Sequence, residues 1–275
     1  MERKSNTLQN GIATNIHIRN GSETSLLSEH FHKYHELYFL LEGNAKYFIE
    51  NTILNVESGQ TVFIKQGNIH KTTYDYGKSS KRILISFTSD FLGEEYFPIV
   101  SKLEKEKTIL PSAEASKEIR SLFFKIHDEY SVRKDFSLLQ CKNLLRELMV
   151  ILSREKPDAN STALTENESI IQKAAEYISN HLEDDLNLKL LSSKFGMSES
   201  HFSRTFTQCT GFGVSKYIKF KRLQKAEALL SSNKYTIAEI AMRCGFNYSN
   251  YFISEFKKYK EITPFQYAHK NKNNK

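Results

Sequence analysis

The sequence predicts a multidomain α and β protein: an N-terminal β-barrel with an attached helical hairpin, then an all-α domain holding two helix-turn-helix units. Three observations carry this. Short alternating apolar runs with Gly and Asn at their corners fill the first third of the chain, a helical period replaces them after Pro111, and the last hundred residues contain one pattern twice. The 275-residue length suits two cores. With 39% hydrophobic residues, 19 Phe and 14 Tyr, enough apolar surface can be buried to exclude a disordered, collagenous or coiled-coil protein.

Residues 1–111 form the predicted β domain, with strands at Glu36–Leu41, Ala45–Glu50, Ile53–Val56, Thr61–Ile64 and Arg82–Phe87. Turn residues at Gly43-Asn44, Ser58-Gly59 and Gly67-Asn68 separate them, the spacing of a sandwich or barrel. In residues 112–155, Ile119, Leu122, Phe123, Ile126 and Tyr130, then Leu138, Leu144, Leu145, Leu148 and Leu152, recur at helical spacing and predict an αα-hairpin. Its apolar stripe must bury on the β domain, and any exposed remainder would serve a homodimer interface.

Residues 156–168, beginning KPDANSTALTEN, are polar and aperiodic and are the expected linker. In residues 169–275, Ile170, Ile171, Ala174, Ile178 and Leu182 mark a first helix, with shorter helices after it broken at Gly196, Gly211, Gly245 and Pro264. The N-terminus, MERKSNTLQN, has no apolar leader, and no run approaches the roughly 18 apolar residues of a membrane span. A cytoplasmic location with no membrane partner is expected. The scattered Cys141, Cys209 and Cys244 suggest buried reduced thiols.

Charge separates the two halves. Residues 1–167 hold 22 Lys and Arg against 22 Asp and Glu, whereas 168–275 hold 17 against 10. A compact basic domain of this kind is the electrostatic footprint of a polyanion binder.

Shifting the basic region by 50 residues superposes Phe202 on Phe252, Phe206 on Phe256 and Tyr217 on Tyr267. A shift of 49 superposes Leu191 on Ile240 and Gly196 on Gly245, so the second copy has a longer turn by one residue. Each copy has a Gly turn and two Phe at i and i+4 to anchor a second helix from behind, with Ser198 and either Asn247 or Ser249 as N-caps. The outward face then carries Ser200, Ser203, Arg204 and Gln208 in the first copy, and Ser249, Asn250, Ser254 and Lys257 in the second. These side chains suit base edges and phosphates in a major groove, with Lys258, Lys260, Lys221 and Arg222 neutralising phosphates. Two such units joined by a helix over 214–230 can enter successive major grooves of double-stranded DNA, about 34 Å apart.

At these residues the chain resembles the AraC/XylS family of bacterial transcription regulators. The resemblance spans nearly all of 170–268 and is most specific in Ile237-Ala238-Glu239-Ile240-Ala241, Cys244-Gly245-Phe246, Tyr251-Phe252, Phe256-Lys257-Lys258 and Thr263-Pro264 followed by Tyr267. Ser198, Phe202, Arg204, Phe206, Gly211 and the RLQKAEALL run from Arg222 match in the first unit and the linking helix. Membership implies two DNA-binding helix-turn-helix motifs, the first usually the more sequence-specific. Ser192, Ser254, Glu261 and Ala268 depart from the common Ala, Arg, Gly and Arg. Ser254 makes the second unit a grip on phosphates more than a reader of bases.

Upstream, His30, His32 and Glu36 followed by Gly43, with Gly59, Gly67 and His70 beyond, resemble the two motifs of a cupin barrel, which is the sensor such a regulator would carry. In metal-binding cupins the positions matching His30, His32, Glu36 and His70 are ligands for a divalent transition metal. Lys65 and Tyr74 depart from the second motif. The favoured reading is a small-molecule pocket for a polar effector, a sugar among them, lined by residues from His30, His32, Glu36, Tyr38, His70 and Arg82, with no cofactor. The expected protein is therefore not an enzyme but a ligand-responsive regulator, engaging RNA polymerase if it activates. Two other classes compete: a metal-dependent cupin isomerase or dioxygenase with a DNA-binding appendix, and a protein scaffold.

Overall fold

Strand β2 (His35–Glu42) has no solvent-facing side before its last residue. Leu37, Phe39 and Leu41 join one apolar cluster and Tyr38 and Leu40 another, so the strand is a wall between two cores. In the computed structural model, residues 8–19, 32–74, 77–109, 111–156 and 164–273 are described, and the chain divides into two compact units at Leu164/Thr165.

The first unit has two antiparallel sheets. One has the order β1 (Ile12–Arg19), β7 (Ser80–Phe87), β2, β5 (Thr61–Ile64), β8 (Thr108–Ile109). The other has β4 (Thr52–Glu57), β3 (Asn44–Ile49), β6 (His70–Thr73). Tyr38, Leu40, Val62, Ile64 and Leu84 of the first sheet pack against Ala45, Tyr47, Ile49 and Val56 of the second, so the inter-sheet space is filled by side chains. The other face of the first sheet meets α1 (Ser89–Leu92), a 3-10 turn at Glu94–Tyr96, α2 (Phe97–Glu106), α3 (Ala113–Val132) and α4 (Ser137–Arg154).

The α3–α4 stripe lies where its periodicity requires: Ile119, Leu122, Phe123, Ile126, Leu144, Leu145, Leu148 and Leu152 are buried in the cluster with Leu37, Phe39 and Ile85. The Ser112 hydroxyl caps α3 by accepting from the Ala115 N–H at 3.2 Å. Leu138, expected in the stripe, is instead exposed, with Val132, Phe136 and Leu139 at the same end of the hairpin. Strands β1, β6 and β8 and helices α1 and α2 are absent from the sequence expectation. β6, β8 and α1 span four residues or fewer, too short for a period to show, whereas β1 and α2 are long enough to have been read.

The second unit is helical: α5 (Glu166–Asn180), α6 (Leu188–Lys194), α7 (Glu199–Thr210), α8 (Val214–Ser232), α9 (Ile237–Arg243), α10 (Ser249–Lys260) and α11 (Pro264–Asn273). The linker ends sooner than expected because Thr165 and Glu168 close a reciprocal capping box that starts α5 at 166. Residues 157–163 of that linker lie outside the described residues. Phe202, Phe206, Phe212, Tyr217, Phe252 and Phe256 are fully buried and make an aromatic core. Cys141 and Cys244 are buried thiols, while Cys209 is half-buried, a departure from the expectation of three buried groups.

Candidate nucleic-acid interface and effector site

The duplicated pattern folds into two copies of one geometry. Helices α6 and α7 are joined through residues 195–198 and α9 and α10 through 244–248, the one-residue difference that the slipped repeat requires. Gly196 (φ 68°) and Gly245 (φ 79°) both hold the left-handed conformation that makes the turn. Behind each second helix the Phe pair meets at almost the same separation, 5.8 Å for Phe202 and Phe206, which stack, and 5.7 Å for Phe252 and Phe256, which meet edge-on. Ser192, where Ala is common, is tolerated in the core because its hydroxyl donates to the Lys189 carbonyl.

With the phenyl rings inward, the opposite ridge of α7 exposes Ser200, Arg204 and Gln208, with Ser203 half-buried. On α10, Asn250, Ser254, Lys257 and Lys258 are exposed and Ser249 is half-buried. Arg204 reaches His201 Nδ1 at 3.4 Å, one turn back on its own helix. Lys258 donates to Glu255 at 2.6 Å, and Lys260 pairs with Glu227 at 2.6 Å. Lys221 is half-buried on α8.

Arg222 directs Nε to the Leu182 carbonyl (2.9 Å) and Nη2 to the Asp184 carbonyl (2.8 Å), so it fastens the α5–α6 connection to α8. One expectation is corrected. The N-cap of α10 is neither Asn247 nor Ser249 but Tyr248, whose side chain makes no capping bond. Ser198 does cap α7, accepting from the His201 N–H at 3.3 Å. The sequence reading also missed the solvent-facing rings of Tyr248 and Tyr251, 75% and 51% exposed beside the second ridge. Nothing in apolar periodicity distinguishes such rings from core rings.

In the first unit β2 and β6 bring three of the predicted residues together. His32 Nε2 lies 3.2 Å and His70 Nε2 3.6 Å from the same carboxylate oxygen, Glu36 Oε2. The three potential ligand atoms fall within 4.8 Å of one another. His32 Nδ1 is 2.7 Å from the Tyr34 carbonyl and His70 Nδ1 3.1 Å from the Asn68 carbonyl. A carbonyl only accepts, so each Nδ1 carries its proton, and the Nε2 of each ring is the atom that faces the Glu36 carboxylate. His32 Nε2 is a buried polar atom that completes no hydrogen bond. Burial pushes the Glu36 carboxyl up, but the His32 ring set against it and the charges of His32, His70 and Arg82 outweigh this and hold it near 2.

Tyr38 and Arg82 stand beside the triad and not in it. Arg82 Nη1 donates to Asn15 at 2.8 Å with its guanidinium 5.9 Å from the Tyr38 ring, and the Tyr38 hydroxyl is 3.4 Å from that of Tyr74. His30 lies outside the described residues. His35, unremarked in the sequence, points to the opposite face of β2, near Ser89 Oγ at 2.9 Å.

Paired helix-turn-helix motifs in a basic helical unit, following a β unit with a polar cluster inside, define the class of transcription regulators. Residues 191–270 match the helix-turn-helix domain model and residues 15–149 the AraC-like ligand binding domain model. The chain belongs to the AraC/XylS family. An uncharacterized HTH-type transcriptional regulator of Staphylococcus aureus strain COL is 26% identical over 234 residues, covering 83% of this chain and 30% of the relative. This chain thus spans about 30% of the length of the first curated relatives it matches. The HTH-type transcriptional activator RhaR of Mannheimia succiniciproducens is 24% identical over 244 residues, covering 86% of each chain. Among solved structures, the C-terminal domain of AraT, a response regulator from Geobacillus stearothermophilus, is 31% identical with a TM-score of 0.37 over 38% of this chain and 88% of that one. Among the described residues, no helix is long and apolar enough to cross a membrane.

Proposed function

We propose that this chain is a ligand-responsive, sequence-specific DNA-binding regulator. Helices α7 and α10 enter successive major grooves of one duplex, and the β unit senses a small effector. The observation that supports this most is the repeated ridge: two helices with superposable Phe anchors, each presenting Ser, Asn, Gln, Arg or Lys outward. Ser200, Ser203, Arg204 and Gln208 read bases from α7; Ser249, Asn250, Ser254, Lys257 and Lys258 engage chiefly the backbone from α10, with Lys221 alongside. The test is binding to duplexes selected from a random pool. Arg204→Ala should cost about 1–3 kcal/mol on the selected sequence and relax specificity there, while Lys257→Ala should weaken all sequences alike and flatten the salt dependence. Equal affinity for every duplex in both variants and the wild type would overturn the reading.

Effector binding acts by population shift, favouring one arrangement of a dimer and so the spacing of half-sites it can span. Support for the homodimer is the exposed apolar end of the hairpin, where Phe136 is 81% and Leu139 56% exposed. Light scattering of Phe136→Asp should report a monomer. RNA polymerase is the further partner if the outcome is activation. The effector pocket is built on His32, Glu36 and His70, with Tyr38 and Arg82 beside them, and a sugar or another small polar molecule is its expected class.

A second reading of the same cluster has its own observation. Two imidazole Nε2 atoms and a carboxylate converge, an arrangement that needs either a proton on Nε2 or a cation. His32, Glu36 and His70 would hold a divalent transition metal, which would supply that positive charge and a Lewis-acidic centre. Thermal shifts of the N-terminal transition with zinc, manganese or nickel, lost in His32→Ala, would favour the metal. Shifts with polyols alone would favour the organic effector.

A further inference from the structure

The second unit contains a groove of about 680 Å³ between the first half of α8, the residues just before α6 (Leu186 and Asn187) and the turn and first residues of α10. Its floor includes Phe246, and its rim is formed by Ser215, Lys216 and Lys219 on one side and Tyr248 and Tyr251 on the other. Among the described residues that line it there is no carboxylate, while three cations are present. Lys219 lies 2.6 Å from the buried Glu255. Lys216 is exposed on the rim.

The place of this groove matters more than its size. Helix α8 starts directly after α7, at Val214, and the opposite wall is the N-terminal turn of α10. The groove therefore lies between the start of α8, which follows the first ridge in the chain, and the beginning of the second ridge. A duplex that meets both ridges must carry its backbone across this gap, since the N-terminal residues of such helices meet base edges and the flanking surface meets phosphates. The repeat points the same way. The position that caps α7 with Ser198 is Tyr248 in α10, and His201 is matched by Tyr251, so the second copy replaces a serine and a histidine by two exposed phenol rings on the rim.

We propose that this groove seats a phosphodiester of the duplex strand running between the two ridges, with Lys216 taking the phosphate charge and Tyr248 and Tyr251 packing on the sugar. The proposal rests on the reading of the unit as a DNA binder and adds a site that reads no sequence. Tyr248 can also donate its hydroxyl to a phosphate oxygen, and the first-turn N–H of Ser215 belongs to a helix terminus that has no intrahelical partner and no side-chain cap. A protein segment with an apolar anchor and acidic flank is the competing occupant. The continuity of the rim with α10 favours the nucleic acid.

The experiment is anisotropy of the full chain on a 40-base-pair duplex of random sequence, about 40 being long enough to cover both grooves, between 50 and 200 mM salt. Lys216→Gln should lower the slope of log affinity against log salt by about 0.9 and weaken binding roughly three- to tenfold, with Lys216→Arg restoring both. Tyr248→Ala should weaken binding severalfold at unchanged slope, and Tyr248→Phe by less. Unchanged melting of each variant confirms that these solvent-facing changes leave the fold intact. If wild type binds and all variants match it in affinity and slope, the proposal is overturned. Loss of transcription by RNA polymerase under that condition would assign the groove to a protein. If the wild type binds no duplex at any salt, the DNA-binding reading itself falls, and this site with it.

Discussion

Arg222 and Gly245 press on the same atom. The Arg222 Nε–H donates to the carbonyl oxygen of Leu182 at 2.9 Å, and a Cβ added to Gly245 would run into that oxygen while lying 2.8 Å from the guanidinium. Gly196, its counterpart in the first repeat, has the same sign of φ but open space around it. Gly196→Ala should therefore cost only the left-handed strain, about 1–2 kcal/mol. Gly245→Ala adds displacement of a backbone–guanidinium clamp and should cost roughly 3 kcal/mol or more. Urea unfolding of the C-terminal transition in the full chain distinguishes them, and equal losses would refute the asymmetry.

Glu261 takes the place that Gly211 holds in the first copy, and both have positive φ, 66° and 86°. A side chain with a Cβ is strained there, so Glu261→Gly should stabilise the helical unit by about 0.5–1 kcal/mol, offset in part by greater chain entropy when unfolded. Thermal melting provides the comparison.

Glu255 is buried on α10 and held by Lys219 and Lys258, each at 2.6 Å. The Lys219 hydrogen bond, then that from Lys258, keeps its carboxyl below the usual range. Its folded value lies below its unfolded one, so the stabilisation is present at and above the ordinary carboxylate range and is lost as pH falls through the lowered folded value. Glu255→Gln should flatten the acid limb of a stability–pH profile of the helical unit while lowering its plateau near neutrality. A parallel profile would refute the assignment.

Glu227 on α8 gathers Tyr267 Oη at 2.9 Å, Tyr259 Oη at 3.3 Å and Lys260 at 2.6 Å, tying α10 and α11 to the central helix. Tyr267→Phe should cost about 1 kcal/mol and Glu227→Ala about 1–3 kcal/mol, because the latter leaves several donors without their acceptor. Hydrogen exchange of α11 amides should rise in both.

The helical unit was readable because duplication makes each anchor visible twice: Phe202 and Phe206 at one offset, Phe252 and Phe256 at the next. In the β unit the strands between Glu36 and Phe87, other than the short β6, announced themselves by alternation and by glycine corners. The roles of Arg222 and Tyr248 were not legible. A cation and a ring look alike in sequence whether they face solvent or a carbonyl, and only the path of the α5–α6 connection decides. Likewise the Glu36 cluster was legible as residue types, but the carbonyls of Tyr34 and Asn68 that fix the imidazole protons belong to loops with no pattern.

The burial of β2 on both sides has a mechanical consequence. Glu36 belongs to the polar cluster of one face, while three residues along the strand the Phe39 ring stacks on Phe123 of α3 at 4.9 Å on the other. Close-packed neighbours leave little slack to absorb a small displacement. An occupant that tugs Glu36 by a few tenths of an ångström is thus felt by the helical layer through one rigid ribbon, without a loop or a hinge to relay the message.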